Sequence, residues 1–112
     1  MSYKVKTVSS FDREAKKISR KHPSIKSDIA KLISNREENP RLGTDLGQNI
    51  YKIRLAISGT NKGKSGGARV ITCVVVVSEI VILTEIYLKN EYDTVDVDLV
   101  IKRLRLEGGD LS

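Results

Sequence analysis

The sequence predicts an α+β fold, with a twisted, mainly antiparallel sheet of about four strands, an N-terminal helical hairpin and a C-terminal helix. Apolar residues recur with a helical period between residues 9 and 39 and again between 94 and 107. Residues 50–57 alternate between polar and apolar, as a half-buried strand does. The runs 68–77 and 79–87 are β-branched and apolar on both faces, which is typical of central strands. The predicted order is therefore β-α-α-β-β-β-α.

The first forty residues predict one strand and two helices. The segment 3–8 alternates as a half-buried strand does, and Ser9 or Ser10 can then cap the first helix. Pro23 fits the first turn of the second helix, because proline lacks the N–H that this position leaves unused. The second helix is expected to stop before Pro40.

The C-terminal third predicts a tight hairpin followed by a helix. Only Ser78 and Glu79 separate the apolar residues of the two central runs, so a short turn is expected. The helix over 94–107 carries acidic residues in its first turn and basic residues in its last, which suits the helix dipole. Its apolar stripe consists of Val97, Val100, Ile101 and Leu104.

Size and charge limit the classes of function. A chain of 112 residues predicts a single domain over 1–112. Twenty Lys and Arg residues against 14 Asp and Glu give a net charge of +6, which favours a polyanionic partner such as nucleic acid, then an acidic protein, or serves solubility alone. The longest apolar run, VITCVVVV, is too short to cross a bilayer, and the chain opens on a strand-like segment, so we expect a cytoplasmic protein without a membrane partner.

The glycine-rich stretch GTNKGKSGGARVI, residues 59–71, does not predict a nucleotide site. Ser58 stands where a phosphate-binding loop requires glycine, and a β-branched run follows instead of a helix. We therefore expect no nucleotide cofactor. The loop can still present Lys62, Lys64 and backbone N–H groups to phosphate oxygens, or it can serve simply as a hairpin connection.

The candidate functional groups are positively charged side chains. The sequence contains no His/Cys cluster, no Ser-His-Asp set and no disulfide framework; His22 is expected to cap a helix or face solvent, and Cys73 to be a small buried hydrophobe. Lys52 and Arg54 share one face of their predicted strand, and Arg69 begins the next strand. If these strands are neighbours, the three cations converge on one sheet surface; the alternative is that each simply faces water.

Two segments resemble the RelE/ParE superfamily of type II toxin-antitoxin toxins, particularly its RelE/HigB-like branch. They are LGQNIYKIRLAISGTNKGKSGGARVI and ILTEIYLKNEYDTVDVDLV, within about residues 40 to 100. In that family a K-x-R strand, a GKxGG-R strand and a Y-x-K-N-E segment occur in this order. The resemblance implies a RelE-like fold, with which the predicted helical hairpin agrees.

The resemblance also implies an activity and partners. It implies a toxin that enters the ribosomal A site, cuts mRNA during translation without a metal or other cofactor, stabilises plasmids and is neutralised by a cognate antitoxin. Lys52 and Arg54 match the basic strand pair, and Arg69 matches the arginine that contacts the scissile phosphate. The residues expected to bind RNA or the ribosome are Lys62, Lys64, Lys89, Asn90 and Glu91.

RNA cleavage by the neighbouring 2′-hydroxyl requires a base, a group that stabilises charge on phosphorus and an acid. Arginine suits the stabilisation of charge on phosphorus because its planar guanidinium group is permanently charged. Arg69 is therefore the first candidate for this role and Arg54 the second. Lys52 beside them is the candidate base, and Tyr92 or Glu91 is a candidate for the remaining proton transfer.

The chain departs from the family pattern at several positions. Related sequences often carry tyrosines where this chain has Thr72 and Cys73, and RelE itself has an arginine near Asn90 and a tyrosine where this chain has Asp96. Two alternatives therefore stay open: a ParE-like toxin that binds gyrase without cutting RNA, and a catalytically inactive member that binds nucleic acid or antitoxin.

Overall fold

The computed structural model describes residues 3–41, 43–57, 67–88 and 95–106. It confirms the α+β class. The strands are β1 (Lys4–Thr7), β2 (Thr44–Asp45), β3 (Ile50–Leu55), β4 (Ala68–Val75) and β5 (Ile80–Leu88). The helices are α1 (Ser9–Lys21), α2 (Ile25–Glu38) and α3 (Val97–Leu106). The described strands number five instead of about four, because two residues of the loop before β3 pair with it as β2.

The five strands form one sheet in the order β1-β5-β4-β3-β2. β1 runs parallel to β5, and every other neighbouring pair is antiparallel. The buried side chains of α1 and α2 pack on one side of this sheet, which we call the hairpin face. Those of α3 pack on the opposite side, the α3 face. The two faces therefore have separate cores.

The alternation predicted for β3 is confirmed. Tyr51, Ile53 and Leu55 are buried in the core of the hairpin face, whereas Lys52 is half-buried and Arg54 is exposed on the other side. Because successive side chains of a strand point to opposite faces, both cations lie on the α3 face.

The predicted helix starts are wrong by one or two residues. Val8, not Ser9 or Ser10, is the N-cap of α1, and no side chain caps this helix. Val8 is extended and its N–H donates to the Leu83 carbonyl, so the helix begins only after this residue. Pro23 lies before α2, whose N-cap is Ser24. The predicted stop before Pro40 is confirmed, and His22 is the C-cap of α1.

The start of α3 lies later than the predicted position. The Asp96 side chain accepts a hydrogen bond from the Leu99 N–H at 3.2 Å, which is the usual N-cap contact and fixes the first helical residue at Val97. Val100 and Leu104 are buried against the sheet, as the apolar stripe predicts.

The connection between β4 and β5 has four residues, 76–79, so the predicted two-residue separation is wrong. β-branched residues favour a strand but do not mark its end, and the valine run continues past the last paired residue. Val77 at the tip is 84% exposed. Glu79 closes the turn with a φ of 55°, in the left-handed region that β-carbons disfavour.

We expect Glu79→Gly to stabilise the protein by about 0.5–1 kcal/mol, because glycine adopts this φ without the steric cost. The backbone bonds from Glu79 N–H to the Val76 carbonyl and from Lys4 N–H to the Glu79 carbonyl need no side chain. Urea unfolding measures the change. Ser78→Gly is the control, since Ser78 has no positive φ, and equal effects of the two substitutions would contradict the conformational explanation.

A β-bulge in β5 changes which side chains reach the α3 face. Ile71 pairs with Glu85 and Thr72 pairs with Leu83, so Thr84 has no Cα partner in β4. The Thr84 hydroxyl donates to the Ile71 carbonyl at 3.1 Å. One extra residue shifts the strand alternation by one position. Ile82 before the bulge and Tyr87 after it therefore both pack on the α3 face.

Cys73 is 4% exposed in the core of the α3 face, as expected of a buried hydrophobe. Burial raises the pKa of its thiol, which keeps the neutral form. None of the three helices in the described part of the chain combines the length and apolar character needed to cross a bilayer.

Candidate functional site

Three side chains form a row across the α3 face. Arg54 of β3 pairs directly with Arg69 of β4, and Arg69 pairs directly with Tyr87 of β5. Directly paired residues have β-carbons about 4.5–5.5 Å apart and point to the same side of a sheet. We call these three residues the arginine row. It places two arginines and a tyrosine side by side, although the outer two residues are 33 positions apart in the chain.

The members of the arginine row differ in exposure. Arg54 is exposed to solvent, whereas Arg69 and Tyr87 are each 2% exposed. The Arg69 guanidinium donates to the Ala68 carbonyl through Nη1 at 3.1 Å. An anion arriving from solvent can therefore reach Arg54, whereas Arg69 is covered in this structure.

Lys52 lies beside the arginine row. It is two residues before Arg54 in β3, which places the two Cα atoms about 7 Å apart on the same face. Its register partners are Thr44 of β2 and Ile71 of β4. Among the described residues, the β3 side of the site therefore carries the exposed positive charge. Tyr87 forms the β5 side.

Gly43 supports the backbone of β3 at Lys52. Its φ is +117°, and a β-carbon there would lie 2.7 Å from the Lys52 carbonyl oxygen and 2.9 Å from Ile53 Cγ1. Both the conformation and the lack of space require glycine. Gly47 also has a positive φ of +89°, but a β-carbon there meets no atom within 4 Å.

We expect Gly43→Ala to destabilise the protein by roughly 1–3 kcal/mol or more and to displace Lys52, because the new methyl group would overlap its carbonyl. Gly47→Ala is the matched control, since it adds the same methyl group and similar backbone strain without the overlap. Thermal unfolding and the amide NMR shifts of β3 measure the two effects. Equal destabilisation by both variants would show that strain alone accounts for the cost.

Two polar contacts hold α3 beside this site. Arg103 of α3 forms an ion pair with Glu85 of β5. At the start of the helix, the Gln48 side-chain amide donates to an Asp98 carboxylate oxygen at 3.2 Å. Together with Val100 and the rest of the buried stripe, these contacts orient α3 along the sheet.

The loop that carries Gln48 has an unusual backbone. Gln48 and Asn49 have φ values of 54° and 63°, and the Arg41 guanidinium donates to the Asn49 side chain at 3.1 Å and to the Tyr51 hydroxyl at 2.9 Å. The hydrogen bond with Tyr51 raises the pKa of Arg41. The loop between β2 and β3 is thus tied both to Arg41 and to α3.

The structure brings together part of the residue set that the sequence suggests. Lys52, Arg54 and Arg69 share the α3 face. Asp96, where the family resemblance implies a tyrosine, caps a helix. Thr72, with no exposed area, points toward the hairpin face, and Cys73 packs in the α3-face core. The candidates outside the described residues are Lys62, Lys64, Lys89, Asn90, Glu91 and Tyr92.

Sequence reasoning did not name Tyr87 as a site residue, although Tyr87 begins the Y-x-K-N-E segment. The alternation of β5, counted from Ile80 or Ile82, assigns odd-numbered residues to the hairpin face. The bulge at Thr84 reverses that assignment and puts Tyr87 beside Arg69. Thr84 is a weak signal of the bulge, because nothing in the sequence distinguishes a threonine at a bulge from a threonine in regular pairing.

Comparison with solved structures finds a similar protein of known fold. The structure of a mutant of the E. coli toxin RelE in its free state superposes with a TM-score of 0.66, covering 93% of this chain and 99% of that chain, at 18% sequence identity. The protein therefore has a RelE-like fold. No protein-family model and no curated protein matches the sequence.

Proposed function

We propose that this protein is the toxin of a type II toxin-antitoxin system and cuts mRNA on the translating ribosome. The observation that carries the proposal is the direct cross-strand pairing of Arg54 with Arg69, with Lys52 on the same face. The RelE-like fold supports it, because the matched protein is a toxin. Under this proposal the partners are mRNA, the ribosome and a cognate antitoxin.

The arginine row suits a phosphate that gains negative charge. In the proposed reaction the 2′-oxygen attacks the adjacent phosphorus, its proton passes to a base, and the bond to the 5′-oxygen breaks as that oxygen takes up a proton. The products are a 2′,3′-cyclic phosphate and a 5′-hydroxyl. Arg54 would donate paired N–H groups to the phosphate oxygens, Arg69 would do the same once it is uncovered, and Lys52 would receive the 2′-proton.

Positioning of the message by the ribosome would supply a large part of the reaction rate. Arg54 lies on an open sheet surface, so the described part of the protein offers a phosphate site more than a pocket for a base. Holding the 2′-oxygen in line with the leaving oxygen contributes a large part of the rate in reactions of this kind. A message already held in the ribosomal A site supplies that alignment.

The test is cleavage of a defined mRNA by the purified protein, with and without translating ribosomes, mapped by primer extension. We expect cuts only with ribosomes, a cyclic phosphate on each upstream fragment, and a loss of about 10²-fold in rate in Arg54→Ala. Arg20→Ala, which removes an exposed arginine from α1, is the control for net charge and should change the rate less than about threefold.

Intact message under both conditions would overturn the proposal, and a gyrase supercoiling assay would then test the ParE-like alternative. Equal losses in Arg54→Ala and Arg20→Ala would show that overall charge, and not the arginine row, controls cleavage.

A further inference from the structure

We propose that the part of β5 extending beyond β1 binds an extended acidic segment of a partner protein as an added strand. β1 ends at Thr7, opposite Leu83, and the chain then turns into α1. β5 continues to Leu88, so residues 84–88 have β4 on one side and none of the described strands on the other. About half of the β5 edge is therefore not paired with any of the described strands.

The geometry of this edge suits strand addition. From Glu85 to Leu88 the pairing with β4 is regular, without a further shift. The N–H and C=O groups of a regular strand alternate between its two edges, so this edge presents both to the outside. An extended peptide matches that pattern with its own backbone, which gives affinity without requiring a unique sequence.

A groove lies along the same edge. Two adjoining cavities of about 220 and 240 Å³ have Glu14 of α1 in common; the first reaches residues 84–86 of β5 and the second reaches Leu88. The α1 wall consists of residues 10, 13, 14, 17, 18 and 21, which is one face of a helix. That face is about 16 Å long and the open edge about 13 Å, so the groove holds about five extended residues.

The charged side chains that line the groove indicate what kind of segment it binds. Glu14 is paired with Lys17 at 3.8 Å, and Glu85 is paired with Arg103. Arg13 and Lys21 form no ion pair with any of the described residues. Among the described residues, Arg13 and Lys21 are therefore the cations that the groove offers to an acidic ligand.

The spacing of these cations predicts a sequence pattern. Arg13 and Lys21 are eight helical residues apart, which is about 12 Å, or four residues of extended chain. Between them the groove is lined by Ile18 and Leu88, which both belong to the hairpin-face core. The matching segment has acidic residues at positions i and i+4 and an apolar residue at i+2, all on one side of the added strand.

An RNA strand fits the groove less well. Its phosphates follow at every nucleotide, so some of them would lie against the carboxylates of Glu14 and Glu85. Its backbone also offers no N–H and C=O pattern to match a strand edge. If the partner is the antitoxin, that identification rests on the proposed function, whereas peptide binding itself does not.

The test is selection from a displayed library of random ten-residue peptides against the whole protein, without RNA or ribosomes. We expect enriched peptides with the acidic, apolar, acidic pattern, and amide NMR shifts at residues 84–88 when they bind. The double variant Arg13→Glu/Lys21→Glu should bind them about tenfold more weakly or worse. Lys31→Glu, at an exposed lysine of α2, is the matched control and should bind normally.

No enrichment, equal binding by the double variant, or shifts confined to other residues would overturn the proposal. So would a ten-nucleotide RNA that shifts the amides of residues 84–88 when no peptide does. Because the mRNA assay is not involved, a negative cleavage result leaves this test unaffected, and a failure here leaves the cleavage proposal unaffected.

Discussion

Arg69→Lys should reduce ribosome-dependent mRNA cleavage by about 10²–10³-fold, although it keeps the charge. Lysine places one ammonium group where arginine presents a planar fork, so it cannot donate two parallel N–H bonds to a phosphate. Removing one donor that acts mainly in the transition state commonly costs this much. Single-turnover cleavage of ribosome-bound message measures the loss.

The Arg69 result has two controls. Arg69 is 2% exposed and donates to the Ala68 carbonyl, so thermal unfolding must show that the lysine variant is folded at the assay temperature. Arg105→Lys makes the same chemical change at an exposed position of α3 and should leave the rate unchanged. Wild-type cleavage by Arg69→Lys would remove Arg69 from the phosphate site and leave that role to Arg54.

Leu83→Ala should destabilise the protein by about 2–5 kcal/mol, a large fraction of the 5–15 kcal/mol typical of a natural domain. Leu83 has no exposed area and lies in β5, between Thr7 of β1 and Thr72 of β4. Removing its branched end leaves a cavity in the core of the hairpin face, which a strand paired on both sides cannot close. We expect the melting temperature to fall by about 10–20 °C.

Val77→Ala is the matched control for this prediction. Val77 follows the same β-branched run but is 84% exposed at the tip of the turn between β4 and β5. Its truncation should change the free energy of unfolding by no more than about 0.5 kcal/mol. A similar small change in Leu83→Ala would show that the hairpin-face core is loosely packed around β5.

Much of the fold follows from local pattern. The period of apolar residues identifies α1, α2 and α3 and separates them from the strands, because packing against a sheet requires one apolar helix face. Strand alternation also places Lys52 and Arg54 opposite Tyr51 and Ile53. The net charge of +6 depends on composition alone.

The ends of helices and strands and the two-residue strand β2 follow less well from the sequence. Val8 is the N-cap of α1 because its N–H donates to Leu83, a residue of a different element. The two-residue β2 exists only because Thr44 pairs with Lys52. Neither feature has a periodic signal in the sequence. The N-cap depends on a residue far along the chain, and β2 has too few residues to show a period.

The sequence by itself determined that there are three helices and where they lie apart from their ends, which strands are buried, and that several cations fall on or near the strands. Only the tertiary structure decided that Arg54, Arg69 and Tyr87 form one row, and that Arg69 is buried while Arg54 is exposed. The bulge at Thr84 belongs to the register between β4 and β5. Its one extra residue moves every later side chain of β5 to the opposite face of the sheet. Side-chain direction in a sheet is thus set by pairing between distant segments, which local sequence does not encode.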